Sequence, residues 1–227
     1  MLAFVDIEAS GLVNGFPIEI GWAKENGEVG AILIRPHPEW LTDLAWDANA
    51  ERIHSLTREL LAERGTAIDD AVDAINNALI GCKCVSDSPS NDWYWLSLLF
   101  EFVKEGEREF RGYMLEDPAE PLMLGFAQSL GVAPLFVEDV FRSSRARPLQ
   151  HTAAGDAAGW GAMFEAVKTR GNIELILPRW MERARTAMPW RSSKTADFNE
   201  IAAEQLVKYD GALRELAAEW SPPKPRG

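Results

Sequence analysis

The most constraining feature of the chain is a set of three apolar, β-branched runs near its start. The runs are LAFVDIEA (2–9), PIEIGWAKE (17–25) and VGAILIRP (29–36). Turn-forming Asn-Gly pairs at 14–15 and 26–27 separate them. Because consecutive strands joined by short turns pair antiparallel, this segment predicts a three-stranded meander.

After the meander, apolar residues at helical spacing alternate with two short apolar runs that predict strands. Two helices come first. A buried strand over 80–86 then leads into a helix that begins near Asp92, and a strand over 111–115 leads into another helix. The predicted N-caps in this part of the chain are Thr57, Thr66 and Asp117. Strands separated by helices pair parallel, so the order predicts an α/β fold with a mixed sheet flanked by helices.

The C-terminal part is predicted to be helical as well. An amphipathic helix follows His151, and a long helix starts near Asp197. We divide the chain into a main domain over 1–170 and a helical C-terminal extension over 171–227 that packs on the same domain. With 227 residues, of which 47% are hydrophobic, the chain can bury a core of that size.

The charge balance limits what the chain can bind. Its 23 basic and 35 acidic residues leave a formal charge of −12. Such a surface does not grip a long duplex through its phosphates, which disfavours an architectural nucleic-acid binder. An enzyme that holds only a few terminal nucleotides is compatible with this charge, because bound divalent cations compensate an acidic site.

The sequence contains neither a membrane span nor a signal peptide, and its two cysteines do not form a zinc motif. No segment has the roughly 20 consecutive apolar residues that span a bilayer, and the opening MLAFVDIEAS has carboxylates where a signal peptide needs an apolar run. We therefore expect a cytoplasmic protein with no membrane partner, whose chain starts directly with a strand. Cys82 and Cys84 lack the second Cys or His pair of a zinc site, which favours buried thiols in a strand.

Asp6 and Glu8 are the first candidates for chemistry. They stand two residues apart in the first predicted strand, and a period of two puts both carboxylates on one face of the sheet. Two anions held together favour a bound cation. The alternative is a pair of solvent-facing acids on an edge strand, although the apolar neighbours Phe4, Val5 and Ile7 favour a central strand.

Further candidates lie at the starts of predicted helices. Asp92 heads a helix after a strand, where it could equally be a capping acid, and Asp87 competes with it in the same loop. His151 lies five residues before Asp156, an acid in the first turns of a helix. A histidine there could accept a proton from a water acidified by a metal, and the alternative is a surface histidine beside a helix.

Together these segments resemble the DEDDh (DnaQ-like) 3′-to-5′ exonucleases of the RNase H-like superfamily. FVDIEASGL resembles the first exonuclease motif of that family, SDSPSNDWYWL the second and HTAAGDA the third. AERIHSLTREL is similar to an Ile-His-Gly-Ile-Thr-like turn of the family, with Ser55 in place of the usual Gly. The resemblance covers about residues 2–167.

The resemblance implies an RNase H-like fold and two-metal hydrolysis of phosphodiester bonds at single-stranded RNA or DNA 3′ ends. By the same resemblance, Asp6 would bridge both ions, while Glu8 and Asp156 would hold the ion that activates water. Asp92 would hold the ion at the leaving oxygen, and His151 would be the general base. Such oxygen ligands suit Mg²⁺ or Mn²⁺.

The resemblance also implies a substrate contact, and the second motif departs from the family pattern. Ser10, Gly11 and Leu12 follow the first motif, in a turn that would approach the terminal nucleotide, with Leu12 against its base. In the second motif, this chain has Ser-Asp-Ser at 86–88 where the family has a His-Asn pair. Asp92 keeps the expected place at the head of a helix, so we prefer it to Asp87 as the ligand.

Aromatic and basic residues are weaker candidates. Trp93 and Trp95 could stack on bases, but core packing is the preferred interpretation in a chain with nine tryptophans. Two basic clusters could contact phosphates or be solvated surface. They are Arg142, Arg145 and Arg147 before His151, and Arg179, Arg183 and Arg185 nearer the C-terminus.

Two alternatives to an active exonuclease stay open. One is a binding module with an exonuclease fold that has lost turnover, which the divergent second motif permits. The other is a proofreading subunit held by a polymerase through the C-terminal helices. The sequence decides neither RNA against DNA nor monomer against homodimer.

Overall fold

The computed structural model describes residues 1–103, 109–144 and 149–191. The strands in these ranges are β1 (Leu2–Ala9), β2 (Pro17–Lys24), β3 (Val29–Leu33), β4 (Lys83–Val85) and β5 (Tyr113–Met114). The helices are α1 (Pro38–Asp43), α2 (Ala48–His54), α3 (Arg58–Arg64), α4 (Ile68–Leu79), α5 (Pro89–Glu101), α6 (Ala119–Ser129), α7 (Pro134–Ser144), α8 (Ala153–Thr169) and α9 (Ile173–Ala187), and a short 3-10 turn follows at Pro189–Arg191.

The five strands form one mixed sheet in the order β3-β2-β1-β4-β5. The first three strands pair antiparallel, and β4 pairs parallel with both β1 and β5. This arrangement confirms the predicted meander followed by parallel strands. It places β1, the strand with the first two candidate acids, in the middle of the sheet.

The strand register determines which residues meet at one edge of the sheet. Asp6 is paired with Gly21 across β1 and β2, and Glu8 is paired with Glu19. On the other side of β1, β4 ends with Val85 beside Phe4. The residues that follow β4 therefore leave the sheet next to Asp6, because parallel strands carry their carboxyl ends to the same edge.

Two apolar cores cover the two faces of the sheet, because alternate residues of a strand point to opposite faces. Val5 and Ile7 belong to the first core, which also contains the apolar residues of α4 and α5. Phe4 belongs to the second, formed with α6, α7, α8 and α9. Every residue of β2 is buried, as expected for a strand covered on both faces. Asp6 and Glu8, in phase with Phe4, point to the side of α8.

Helix starts were predicted correctly in some places and wrongly in others. Thr57 caps α3 as predicted, since its Oγ1 accepts the N–H of Leu60 at 3.2 Å. Thr66 does not cap α4, because its backbone extends the sheet by accepting the Arg35 N–H at 2.9 Å and donating to Leu33 at 2.8 Å. Ala67 is the N-cap instead.

Pro118, rather than Asp117, is the N-cap of α6, and no side chain caps this helix. The Ala119 N–H donates to the Ser86 carbonyl at 2.8 Å, so the backbone that follows β4 satisfies it. The predicted order also lacked α1, α2 and α7. Helices of six and seven residues such as α1 and α2 are too short for helical periodicity to stand out.

Residues 1–190 form one compact unit, in which α9 packs against α8. The boundary at residue 170 stays a prediction, and the helix expected near Asp197 lies outside the described residues. Among the helices that the structure describes, none is long and apolar enough to cross a bilayer.

The two cysteines are buried free thiols, as the sequence indicated. Cys84 lies in β4 and Cys82 one residue before the strand begins. Burial, followed by the neighbouring Cys82, raises the pKa of the Cys84 thiol to about 12, which keeps it protonated and unreactive at neutral pH.

Candidate metal centre

Asp6 is the centre of two overlapping groups of acids. It lies in the middle of β1, near the edge of the sheet at which β4 also ends. Burial raises the pKa of Asp6 well above its usual value, and Asp156 and Glu8 are the next largest causes. A carboxyl that neighbouring anions keep from ionising is one that a cation would return to its charged form.

The first group joins Asp6 and Glu8 to Asp156. Carboxylate oxygens of the three side chains all lie within 4.8 Å of one another. Asp156 is in the first turn of α8, which reaches the sheet because Gly21, paired with Asp6, has no side chain. A Cβ at Gly21 would lie only 2.2 Å from the Ala153 carbonyl carbon and the Ala154 nitrogen.

The second group joins Asp6 to Asp87 and Asp92, again with carboxylate oxygens within 4.8 Å of one another. Asp92 is 2% exposed and projects from the first turn of α5. Burial raises the pKa of Asp92 to about 7, although hydrogen bonds from Ser86 and from the Ile7 backbone lower it. The Ser86 hydroxyl donates to Asp92 Oδ2 and its oxygen accepts the Ser88 N–H at 2.9 Å.

The structure therefore brings all four acids of the predicted set together and adds Asp87 to them. Asp87 is exposed whereas Asp92 is buried, so the two differ in environment but both reach Asp6. Carboxylates are hard oxygen donors, and a site made of them fits Mg²⁺ or Mn²⁺ better than a soft metal.

An open pocket of about 340 Å³ lies over the first group. Its lining is Asp6, Ile7, Glu8, Asp87, Gln150, His151 and Asp156. His151 is exposed and has a φ of 57°, and its backbone N–H donates to Asp156 Oδ2 at 2.8 Å. The backbone of His151 therefore helps to hold the Asp156 carboxylate, and His151 is a solvent-exposed residue of the pocket wall.

The turn after β1 presents two apolar side chains to solvent, Leu12 and Val13. Ser10 is fully buried, and its hydroxyl donates to the Ala45 carbonyl at 2.7 Å and accepts the Phe16 N–H at 2.9 Å. Leu12 is 76% exposed. Of the predicted substrate contacts, Ser10 thus uses its side chain to shape the turn, and Leu12 has its side chain available. Gly11 packs against Asp47, where an added Cβ would approach the Asp47 Cβ to 3.2 Å.

The aromatic candidates are occupied by internal contacts. Trp95 is buried in the first core, as preferred from the sequence. Trp93 is half-buried and donates its indole N–H to the Leu115 carbonyl at 2.8 Å.

The basic candidates that the structure describes also make contacts within the chain. Arg145 and Arg147 lie outside the described residues. The observed contacts are Arg142 with Asp139 at 3.6 Å, Arg179 with Glu165 at 2.6 Å, Arg183 with the Gly27 carbonyl at 2.9 Å, and Arg185 with Glu182. None of these contacts involves the five clustered acids.

Two polar residues near the acids were not identified as candidates from the sequence. Gln150 lines the pocket, and Glu19 is fully buried opposite Glu8. A lone acid inside the otherwise apolar run of β2 was a signal for Glu19, because an unpaired carboxylate is costly to bury. Gln150 has no comparable signal, since nothing in its spacing separates it from a surface residue.

Comparison with solved structures identifies the fold. E. coli exonuclease I in complex with a dA16 oligonucleotide matches with a TM-score of 0.56 at 15% identity, over 80% of this chain and 42% of that one. A zinc-bound E. coli exonuclease I complex with single-stranded DNA matches with a TM-score of 0.54 at 17% identity, over 80% and 42%. Exonuclease I from Methylocaldum szegediense matches with a TM-score of 0.52 at 16% identity, over 77% and 42%.

These likenesses show that the chain has the RNase H-like fold of exonuclease I, which confirms the predicted fold class. This chain spans only about 42% of the length of those proteins. No family model matches the sequence, and neither does any curated protein.

Proposed function

We propose that this chain is a metal-dependent 3′-to-5′ exonuclease acting on single-stranded nucleic acid. The observation that carries the proposal is the convergence of acids from three separate elements on Asp6, which lies on the central strand of an RNase H-like sheet. A structural role does not explain such a cluster, because like charges gathered in a half-buried site destabilise the fold.

Asp6, Glu8 and Asp156 would hold one divalent cation, and Asp6 with Asp92 would hold the other. Bound Mg²⁺ or Mn²⁺ ions would supply a water that is acidic near neutral pH and positive charge at the leaving oxygen. The protein would contribute rigid placement of these ligands, since β1, α5 and α8 are all anchored in the two cores.

His151 is the group that we assign to proton transfer. His151 is an exposed residue of the pocket that the acids line, and its backbone N–H is hydrogen-bonded to Asp156. A neutral imidazole can accept a proton during attack on a phosphodiester. Its exposure leaves it free to turn toward a substrate.

The terminal nucleotide would be held by the turn after β1. Leu12 extends into solvent three residues after the end of β1, the strand that carries Asp6 and Glu8, and an apolar side chain of this kind can pack against the face of a base. Exonuclease I structures similar in fold contain dA16 and dT13 oligonucleotides, which supports testing single-stranded DNA first and RNA beside it.

The cytoplasmic location and the homodimer expected from the sequence stay predictions.

The test is a degradation assay with 5′-labelled single-stranded DNA and RNA oligonucleotides. We expect a ladder of shortened products with Mn²⁺ or Mg²⁺, no ladder with EDTA, and none from a substrate whose 3′ end is blocked. Asp6→Ala should abolish the ladder, whereas Asp43→Ala, at an exposed residue of α1, should leave it unchanged.

A folded wild-type protein that produces no ladder from either nucleic acid would contradict the proposal. Calorimetry with Mn²⁺ then separates two explanations. Binding without cleavage supports the binding module with an exonuclease fold, whereas the absence of both means that the acids do not form a metal site.

A further inference from the structure

Glu19 is a buried carboxylate that the proposed chemistry does not use. It lies on β2, is 0% exposed and is paired with Glu8 across the strands. Its Oε2 accepts the backbone N–H of Ala153 at 3.0 Å, and its Oε1 accepts the indole N–H of Trp190 at 2.6 Å. Burying a carboxylate costs free energy even when it is hydrogen-bonded. The burial of Glu19 therefore calls for a structural or functional explanation.

The Ala153 contact is made at the start of the helix that carries Asp156. Ala153 is the first residue of α8, and its N–H is one of the four that have no partner inside the helix. The Thr152 hydroxyl accepts a different one, the Gly155 N–H, at 3.2 Å. A carboxylate is favoured at this end of a helix because the helix dipole is positive there. Glu19 therefore attaches α8 directly to β2.

The contact between Glu19 and Ala153 lies close enough to Asp156 to affect the position of its carboxylate. Asp156 lies three residues after Ala153, less than one helical turn away, so a shift or tilt of the helix start moves its carboxylate almost equally. Gly21, two residues after Glu19 on the same face of β2, provides the space for the Ala153 and Ala154 backbone. On β2, Gly21 thus leaves space for the start of α8, and Glu19 accepts a hydrogen bond from it.

The second oxygen of Glu19 adds a third element to the attachment. Trp190 lies in the 3-10 turn after α9, and its ring packs against residues of both cores. Its indole N–H keeps one oxygen of Glu19 occupied, which leaves the other directed at Ala153. One buried side chain therefore joins β2, the start of α8 and the 3-10 turn after α9.

We propose that Glu19 is a positioning residue that holds the start of α8 where the Asp156 carboxylate meets Asp6 and Glu8, and that Trp190 orients Glu19. This inference rests on the proposed function, because it assigns Glu19 a role in metal binding. Residues that orient metal ligands typically change metal affinity about 10-fold to 100-fold when they are replaced.

Glu19→Gln is the sharpest variant, since the two side chains have the same shape. Glutamine offers one acceptor oxygen and one N–H₂ donor where Ala153 and Trp190 present N–H donors, so one of these two contacts becomes a repulsion. We expect Mn²⁺ affinity, measured by calorimetry, to fall at least about 10-fold. We also expect kcat to fall while KM for the oligonucleotide changes less than about twofold, because Glu19 does not line the pocket at the acids.

Trp190→Phe provides a rescue that a general loss of packing would not produce. Alone, it removes one contact of Glu19 and should lower Mn²⁺ affinity by about threefold. Combined with Glu19→Gln, it removes the opposing donor, so that the glutamine oxygen can again accept the Ala153 N–H. The double variant should therefore bind Mn²⁺ more tightly than Glu19→Gln, at about the level of Trp190→Phe. Glu28→Gln, an exposed acid paired with Lys24, is the matched control and should bind as wild type.

Wild-type Mn²⁺ affinity and kcat in folded Glu19→Gln would overturn the inference, whatever the melting temperature. A double variant no better than Glu19→Gln would overturn the part assigned to Trp190. If Glu19→Gln does not fold, Trp190→Phe decides the matter. Unchanged Mn²⁺ affinity in Trp190→Phe overturns the inference, whereas the expected threefold loss of Mn²⁺ affinity supports it. Wild-type protein that binds no Mn²⁺ would instead contradict the proposed function, and the inference with it.

Discussion

Asp6 lies directly opposite Gly21 in the antiparallel pair of β1 and β2. The absence of a side chain at Gly21 lets the backbone of Ala153 and Ala154 approach the sheet, so α8 can carry Asp156 to Asp6. The fold thus pairs a proposed metal ligand with the residue that makes room for the helix of another ligand.

Gly21→Ala should displace the start of α8, because the added Cβ would lie 2.2 Å from backbone atoms that cannot rotate away. We expect a loss of about 1 to 3 kcal/mol in the free energy of unfolding, measured with urea, and a large loss of Mn²⁺ affinity. Gly125→Ala is the control, since an added Cβ there meets nothing within 4 Å on an exposed part of α6. It should gain about 0.5 to 1 kcal/mol, as expected for alanine within a helix. Equal stability of the two variants would contradict the close approach at Gly21.

Asp92→Asn and Asp87→Asn distinguish the two acids of the second group. Asp92 is buried and oriented by Ser86, whereas Asp87 is exposed, so we expect only Asp92 to be an essential ligand. Asp92→Asn should lower kcat about 1,000-fold or more, because it removes a metal ligand. Asp87→Asn should lower kcat less than about 10-fold, because it removes only a neighbouring exposed charge. Single-turnover cleavage measures both. The reverse order would assign the ligand role to Asp87.

The pH dependence of stability should report on Asp92 when no metal is bound. Its pKa is raised from 3.8 to about 7, so its protonated form is favoured in the folded protein. The stability that protonated Asp92 contributes to the folded state is complete below the unfolded pKa of about 3.9 and is lost as the pH rises toward about 7. The wild type should therefore lose stability relative to Asp92→Asn, by about 1 to 2 kcal/mol between pH 5.5 and pH 8.

Urea unfolding in EDTA at several pH values checks this expectation. Parallel stability curves for the two proteins would contradict it. Saturating Mn²⁺ at pH 8 should restore the wild type, because a ligand that binds only the folded state stabilises it, and should have little effect on the variant.

His151→Asn separates the imidazole from the backbone contact to Asp156. Asparagine tolerates the left-handed conformation at this position, where φ is 57°, so the N–H bonded to Asp156 Oδ2 should stay in place. We expect kcat to fall by about 100-fold to 10,000-fold while Mn²⁺ affinity changes less than about threefold. His37→Asn is a suitable control, because asparagine can still cap α1 there. Loss of metal binding in His151→Asn would instead make His151 part of the ligand framework.

Leu12→Ala tests the contact with the terminal base. Leu12 is 76% exposed, so its truncation should leave the melting temperature unchanged and raise KM for a single-stranded oligonucleotide by about 10-fold, equivalent to about 1.4 kcal/mol of lost apolar packing against the base. The neighbouring Val13, 82% exposed, provides the control in Val13→Ala, which should leave KM unchanged. An equal effect of the two would remove the special role of Leu12.

Much of the architecture was accessible from local patterns. Spacing within a few residues predicted the three strands of the meander and the Thr57 cap. It also predicted that Asp6 and Glu8 lie on the same face of β1. The errors at Thr66 and Asp117 both involve hydrogen bonds between backbone groups far apart in the chain. The Thr66 backbone pairs with Leu33 and Arg35, and the Ala119 N–H at the start of α6 donates to the Ser86 carbonyl.

The sequence by itself determined the class of fold and the acids of the candidate metal centre, because strand periodicity and residue type can be read from neighbouring positions. Only the tertiary structure decided that Asp87 joins Asp92 near Asp6, and that Glu19 attaches β2 to the start of α8. The Glu19 contact spans 134 residues of chain. Such contacts follow from how the sheet and helices pack, and no spacing along the chain encodes a distance across the core.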